Sequence, residues 1–362
     1  MALRVALVGG PMYDGLYSML PSGTEVVVHA DHPTLNHAVA DLLADGVRID
    51  VLSTHSKYAP SQAEWLRPLD PALASGLAER AVELSTFAGD LLCVPRNIDV
   101  RVMWARRDLI DPAPPTWADL LAGDAVFGFT GRESGLFGTF FEYVAAHGGQ
   151  LFEGTVFDSD LRPTLATPLG EEAVNALCRL ASRAPKDLPF WHYDEVDSAL
   201  ARGDLAMAAT WPGGYGPLRA SPVYDRLDPH PYLAGPAGMR SYSGCHGWAI
   251  PRTAGDVPGA TALIELLSTF EAHSLDAASG TVCARVDAFA AVQPVDDTDA
   301  RRLAITRSTV ADGMITYPPL PRFPEVEDAA WMSINAALRG EVGPHEAVAR
   351  MQFSAEAALS GG

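Results

Sequence analysis

Short apolar runs alternate with helical patterns through the first hundred residues of the chain. LRVALVG, EVVVHA and RIDVLST predict strands, and the apolar spacing from Pro33 to Asp45 predicts a helix between the second and third of them. Pro33 suits the first turn of that helix. This order is typical of β-α-β units, so we expect a parallel sheet with helices on its faces.

Later segments carry clear start and stop signals. LLCVPRNIDVRVMWARRDL is apolar and extended, and it is long enough to cross from one lobe to another. Thr116 with Asp119 predicts a capped helix start, and Asp194 is the expected cap of a short helix that Gly203 ends. LAMAATW then predicts a buried strand of small residues.

The last hundred residues are mainly helical in pattern. Residues 258–271 predict one long helix with Leu263, Leu267 and Phe270 on one face. VEDAAWMSINAALRG and PHEAVARMQFSAEAAL predict two more helices, which Gly340 and Pro344 separate.

Composition narrows the class of protein. A chain of 362 residues exceeds what one hydrophobic core usually organises, which predicts two lobes. The formal net charge of −19 argues against nucleic acid or an anionic membrane as partner, because both require a basic patch. Four scattered cysteines do not form a disulfide framework. Met1 leads directly into a predicted strand; we expect an extracytoplasmic protein if an export signal has been removed, and a cytoplasmic one if Met1 is the native start.

Five motifs occur in a fixed order along the chain. They are LLCVPRNIDVRVMWARRDLIDPAPPTWADLLA, HGGQLF, ALARGDLAMAATW, GPAGMRSYSGCHGWAIPRTAGDVPGATALIELLSTF and ALRGEVGPHEAVARMQ. Together they resemble the extracellular solute-binding proteins of ABC importers, in particular the maltose-binding-protein-like group that takes up sugars. The sequence departs from the family pattern at Trp104-Ala105-Arg106, where tyrosine-asparagine-lysine is usual, and at Gly244-Cys245, where a glycine pair is usual.

The resemblance implies an α/β, two-lobed periplasmic-binding-protein-like fold with a ligand cleft between lobes joined by three hinge crossings. It implies an N-terminal lobe of residues 1–107 and 253–308 and a C-terminal lobe of residues 108–252 and 309–362. It further implies a monomeric receptor that closes on a sugar or oligosaccharide and presents it to importer permease subunits, with no enzymatic activity and no cofactor.

A sugar site needs aromatic planes for C–H faces and planar polar groups for hydroxyls. We expect these groups on the loops at the carboxyl ends of the strands and on the crossing segments. The candidate ligand-binding residues are Tyr13, Asp14, His55, Ser56, Tyr58, Arg96, Asn97, Asp99, Arg132, Glu133, Trp211, Tyr215, Cys245 and His246.

Several candidates have a structural alternative that the sequence leaves open. Trp211 either contacts ligand or plugs the core beneath its turn, and Tyr13 either contacts ligand or covers the end of the sheet. Asp14 either binds a ligand hydroxyl or caps the following helix. Arg132 and Glu133 either reach the ligand or pair with each other at the surface.

Two groups of potentially reactive residues offer alternatives to the binding function. His29, Asp31, His32 and His37 lie close together in sequence, but His32 and His37 straddle a helix start and diverge, so no metal site is predicted. Cys245 beside His246 is the one suggestive catalytic pair, and thiaminases show that a cysteine can serve on this fold. The competing hypothesis is therefore a cytoplasmic small-molecule binder or sensor, or an enzyme that uses Cys245.

Overall fold

Strands and helices alternate from the first residues onward in the computed structural model, which describes residues 2–10, 12–154 and 161–360, apart from the side chains of His32 and Pro33. The helices are α1 (His32–Ala44), α2 (Ala59–Gln62), α3 (Glu79–Leu84), α4 (Trp117–Ala122), α5 (Glu133–Ala146), α6 (Pro168–Ala181), α7 (Tyr193–Arg202), α8 (Tyr215–Arg219), α9 (Val257–Leu267), α10 (Phe270–Ala278), α11 (Val286–Ala291), α12 (Asp297–Ser308), α13 (Phe323–Leu338) and α14 (Pro344–Ser360). The strands are β1 (Arg4–Val8), β2 (Glu25–Ala30), β3 (Val51–His55), β4 (Thr86–Phe87), β5 (Asp90–Leu91), β6 (Val94–Asp99), β7 (Val102–Arg106), β8 (Phe127–Gly128), β9 (Phe152–Glu153), β10 (Arg162–Pro163), β11 (Met207–Thr210), β12 (Leu227–His230), β13 (Ala234–Gly235), β14 (Gly238–Met239), β15 (Ser241–Ala249) and β16 (Met314–Thr316).

The chain divides into two units, neither of which is contiguous in sequence. Unit 1 comprises Met1–Asp99, Gly244–Gln293 and Pro319–Pro321. Unit 2 comprises Val100–Ser243, Pro294–Pro318 and Arg322–Gly362.

The boundaries of these units differ from those of the predicted lobes, and the pairing of the strands and the contacts of one helix explain the differences. Strand β7 pairs with β11 and β12, so unit 2 begins before residue 107. Residues Gly244–Ala249 pair with β3 and β6, which places them in unit 1. Helix α12 contacts β7 and β12, so it belongs to unit 2 instead of the N-terminal lobe.

In unit 1 the central sheet has the order β2-β1-β3-β15-β6. Strand β1 is parallel to β2 and β3, as the sequence predicts, whereas β15 runs antiparallel to β3 and β6. Successive residues of β1 face opposite sides of the sheet. Leu7 packs into a cluster with Leu263 of α9, and Val8 packs into another with Leu35 of α1, so the sheet is buried on both faces.

Unit 2 has a sheet of order β12-β7-β11-β8, and β16 pairs with the first residues of β15. Helix α5 is buried on nearly every side and contacts α6 and α13. Such a helix is apolar all round, and the one carboxylate in its interior, Glu142, is fully buried.

Helix boundaries correct two of the predictions. The expected single helix over residues 258–271 is wrong, because Thr269 caps a new helix by accepting a hydrogen bond from the Ala272 amide at 3.3 Å. The expected cap at Asp194 is also wrong: α7 begins at Tyr193, and Glu195 accepts from the His192 amide at 2.7 Å. The predicted end of α7 at Gly203 is confirmed by its left-handed φ of 87°.

Among the described residues, no helix combines the length and apolar character that crossing a membrane requires.

Candidate functional site

Polar residues of unit 1 meet where strands of its sheet end. His55 is the last residue of β3 and Asp99 the last of β6. Strand β15 lies between them and runs in the opposite direction, so His246 is placed opposite both His55 and Asn97. The loop after β1 adds Tyr13. Strand register therefore brings together side chains that are far apart in sequence.

His246 is the centre of this unit 1 cluster. Its Nε2 lies 2.8 Å from the Tyr13 hydroxyl and 3.1 Å from Asp99 Oδ2. The same Asp99 oxygen lies 3.8 Å from His55 Nε2, and the other accepts a hydrogen bond from Asn97 Nδ2 at 2.8 Å. Burial raises the pKa of Tyr13 well above its usual value, so its phenol is protonated at neutral pH.

The His55 ring is seated against the backbone of Gly244. A Cβ at Gly244 would lie 2.1 Å from His55 Cε1, so only glycine fits beneath the ring. The Lys57 amide donates to His55 Nδ1 at 3.1 Å. Ser56 is largely buried and its hydroxyl accepts from the Cys245 amide at 3.1 Å, while Tyr58, at the start of α2, is only partly buried.

Arg96 supports the cluster from inside the core. Its guanidinium donates two hydrogen bonds to Asp276, at 2.7 and 2.8 Å, and one to the Tyr13 carbonyl at 2.9 Å. Burial raises the pKa of Asp276, although the Arg96 hydrogen bonds oppose that shift. Because Arg96 is 2% exposed, the structure shows it positioning the Tyr13 loop. Asn97 is likewise fully buried.

Asp14, His29 and Asp31 have hydrogen-bond partners other than the residues of the unit 1 cluster, and the His32 side chain lies outside the described residues. Asp14 accepts from the Gly10 amide at 3.2 Å and lies 2.9 Å from His29 Nε2. Asp31 caps α1 by accepting from the Thr34 amide at 2.9 Å. His37 is exposed on α1. His29 and Asp31 are thus engaged with separate partners.

Cys245 and His246 occupy opposite faces of β15, as adjacent strand residues do. Cys245 is fully buried, and its Sγ lies 3.4 Å from the His246 carbonyl oxygen. Burial raises the pKa of this thiol well above its usual value, with nearby Cys93 and Asp99 adding to the shift. The structure therefore places Cys245 in the core as a protonated thiol.

An aromatic cluster in unit 2 surrounds Trp211, which directly follows β11. The edges of Tyr193 and Tyr242 contact the Trp211 ring, with interplanar angles of 88° and 85°. The two tyrosine hydroxyls lie 3.1 Å apart, and that of Tyr193 also lies 3.1 Å from the Ser134 hydroxyl. Within the described chain, the buried Trp211 Nε1 has no hydrogen-bond partner. An unpaired buried donor suits a ligand oxygen.

Charged groups lie at the start of α5 beside this cluster. Glu133 pairs with Arg132 and lies 3.1 Å from His192 Nε2. Arg132 also donates to the Phe190 carbonyl at 3.0 Å. Glu133 has a φ of 59°, which is uncommon for a residue other than glycine and tends to occur where function requires it. The side chains of Arg132, Glu133 and His192 all remain partly exposed.

A buried ion pair supports the aromatic cluster. Arg101 pairs with Glu142, and its guanidinium carbon lies 5.4 Å from the ring centroids of both Trp211 and Tyr242. Burial raises the pKa of Glu142, while Arg101 opposes that shift. The backbone amide of Tyr242 also donates to Glu142, at 2.9 Å.

Tyr215 lies apart from Trp211, although it is only four residues away in sequence. Its ring stacks on Trp104 at 6.5 Å, and the Arg302 guanidinium lies 4.0 Å from its centroid. The turn Pro212–Gly214 separates the two aromatic residues and directs Tyr215 toward the core.

The candidates from the sequence did not include Tyr193 and Tyr242, which contact Trp211, or Ser134 and His192, which contact Tyr193. Ser134 follows Arg132 and Glu133 in the loop and helix start after β8, so the rule that selected those two residues would also have reached it. Tyr193 was not selected because the helix cap was predicted one residue later, at Asp194.

Near-complete matches to solved structures identify the fold as that of two-lobed periplasmic binding proteins. Maltose-bound MalE3 of T. maritima is 19% identical, with a TM-score of 0.85 and coverage of 98% of this chain and 99% of that chain. A ribitol complex of an ABC transporter solute-binding protein from Agrobacterium radiobacter K84 is 18% identical, with a TM-score of 0.84 and coverage of 99% and 98%. The GacH receptor of Streptomyces glaucescens, solved unliganded and with acarbose, is 16% identical, with a TM-score of 0.83 and coverage of 99% of both chains.

The family of the chain follows from a match over most of its length. Residues 21–297 match the model of the bacterial extracellular solute-binding proteins. The chain belongs to this family.

Proposed function

We propose that the chain is the substrate-binding receptor of an ABC importer that captures a sugar or polyol by hinged closure of its two lobes. Membership of the solute-binding family supports this proposal, as do the maltose, ribitol and acarbose that its structural neighbours bind. We further propose that it works outside the cytoplasm as a monomer and delivers its ligand to permease subunits.

The observation that carries the proposal is the arrangement around Trp211. Tyr193 and Tyr242 contact this ring only at right angles, so neither of these neighbours stacks on it. Stacking on the C–H face of a sugar is what such a ring offers, and its unpaired Nε1 can donate to a hydroxyl. Ser134 supplies a hydroxyl beside that of Tyr193, and Glu133 supplies a carboxylate beside His192.

Unit 1 carries polar groups that also support this proposal. The Tyr13 phenol and the Asp99 carboxylate each lie within hydrogen-bond distance of the His246 imidazole. These planar acceptors and donors suit vicinal hydroxyls, so a polyhydroxylated ligand fits them better than an apolar one.

We propose binding without chemistry. Cys245, the one cysteine that the sequence suggested as a nucleophile, lies in the core with a raised pKa and faces away from the His246 ring. A buried neutral thiol is a poor nucleophile, and this supports a receptor over an enzyme.

Substitution of Trp211 tests the proposal. Titration calorimetry of Trp211→Ala against a bound sugar should show a loss of about 1 to 3 kcal/mol, or roughly 5- to 150-fold in Kd, if the ring buries its face on the ligand. Trp331→Ala is the matched control, because Trp331 lies on α13 of the same unit and its Nε1 donates to Asp328 at 3.1 Å. Equal affinity of wild type and Trp211→Ala would make Trp211 a core residue.

A further inference from the structure

One nitrogen in the unit 1 cluster has two close partners. His246 Nε2 is 2.8 Å from the Tyr13 oxygen and 3.1 Å from Asp99 Oδ2. The Tyr13 hydroxyl can donate to this nitrogen or accept from it, whereas the Asp99 oxygen can only accept. An imidazole nitrogen and a carboxylate oxygen this close together can also both ligate one cation.

We propose that unit 1 binds one divalent transition metal ion, Zn²⁺ by its donor set, through His55, Asp99 and His246. Their three ligand atoms lie within 4.8 Å of one another. Two imidazoles and a carboxylate are a common three-residue set for zinc, with a fourth position left for water or an oxygen of a bound ligand.

Two of the three distances between ligand atoms are close to those of a tetrahedral site. Ligand atoms about 2.1 Å from zinc at tetrahedral angles are about 3.4 Å apart. The atoms of Asp99 and His246 are already 3.1 Å apart, those of Asp99 and His55 are 3.8 Å apart, and the two imidazole nitrogens lie within 4.8 Å of each other. Closing the site around the ion therefore requires the imidazole nitrogen of His55 to move by up to about 1.4 Å, which rotation of its side chain can supply.

Neighbouring residues orient the ligands. Asn97 Nδ2 donates to Asp99 Oδ1 at 2.8 Å, which leaves Oδ2 directed at the imidazoles. Asn97 Oδ1 in turn accepts from the His246 amide at 3.2 Å. Such outer contacts fix ligand geometry, and all three ligands stand on strands of one sheet.

His55 is the weakest of the three ligands. Its Nδ1 accepts from the Lys57 amide at 3.1 Å, whereas ligation through Nε2 moves the ring proton to Nδ1 and breaks that hydrogen bond. We therefore expect His55→Gln to weaken the metal less than His246→Gln or Asp99→Asn. This ranking distinguishes the proposed site from adventitious binding at surface histidines.

Calorimetric and spectroscopic titration with Zn²⁺ and Co²⁺ tests the site, using untagged protein freed of metal by chelation. We expect one ion per chain and the visible spectrum of four-coordinate Co²⁺ without a thiolate band. Asp99→Asn and His246→Gln should weaken binding at least ~100-fold. His345→Gln is the control, because that exposed imidazole lies 3.1 Å from Glu171 in unit 2 and should leave the metal affinity unchanged.

Three results would overturn the proposal: no saturable one-to-one binding by the wild type, wild-type affinity in both ligand variants, or a thiolate band. If a ligand variant fails to fold, Gly244→Ala replaces it. Its Cβ would displace the His55 ring, and we expect a roughly tenfold loss, so unchanged affinity would count against the site. Sugar titrations both with and without chelator test the proposed receptor function separately, because metal binding by the protein alone requires no sugar.

Discussion

The buried pair of Arg101 and Glu142 gives a prediction that links stability to the aromatic cluster. Arg101 is 2% exposed and Glu142 fully buried. Removing the carboxylate charge in Glu142→Gln leaves a guanidinium inside the core without a counter-charge. Breaking one side of such a pair usually costs about 3 to 5 kcal/mol, and we expect a loss in this range.

Replacing both partners should have a different effect. In Arg101→Met combined with Glu142→Leu, no uncompensated charge remains, so stability should return to within about 1 to 2 kcal/mol of wild type or exceed it. The same double variant removes the cation next to Trp211 and Tyr242, so ligand affinity should fall even though stability is kept.

Urea unfolding, monitored by hydrogen exchange of the α5 amides, measures the change in the free energy of unfolding of unit 2. A signal averaged over both units would not isolate this change. The ion-pair reasoning requires an ionised Glu142 carboxylate, whereas burial raises the pKa of this group and so favours its neutral form. If Glu142→Gln loses less than about 1 kcal/mol at pH 7, Glu142 is already neutral in the folded protein and the ion-pair reasoning fails.

Burial lowers the pKa of His273 from 6.5 to about 4, and neither of its ring nitrogens has a hydrogen-bond partner among the described residues. The unfolded chain binds this proton more readily, so the contribution of neutral His273 to the free energy of unfolding is fully present above about pH 6.5 and should fall by about 2 kcal/mol by pH 5. Urea unfolding at several pH values measures this dependence. His273→Leu should remove it, and an unchanged pH profile in that variant would contradict the prediction. Gly138→Ala should lose about 1 to 3 kcal/mol and displace Tyr242, because the new Cβ would lie 2.0 Å from Tyr242 Cε1. Gly216→Ala, which has open space around it in α8, is its control in thermal unfolding, and equal melting temperatures of the two variants would refute the packing argument.

Local pattern was sufficient to predict much of the fold. EVVVHA is strand β2 itself, and the spacing from Pro33 to Asp45 falls within one residue of α1 at each end. Hydrophobic periodicity is a local property, so it locates such elements well. It failed at Thr269, where a cap in the middle of an apolar run begins a new helix.

The candidate site depends on long-range register, which local spacing does not contain. His55, Asp99 and His246 meet because β15 runs antiparallel between β3 and β6. The sequence suggested all three residues as ligand contacts but gave no reason to group them. Similarly, Cys245 is separated from the His246 ring because adjacent residues of β15 face opposite sides of the strand.

Titration calorimetry of the wild-type protein against a panel of sugars and polyols tests the central claim most directly. The panel includes maltose, ribitol and acarbose, with amino acids as the contrasting class. The receptor function predicts saturable one-to-one binding of at least one carbohydrate or polyol. A panel without a carbohydrate or polyol ligand, together with tight binding of an amino acid, would contradict it.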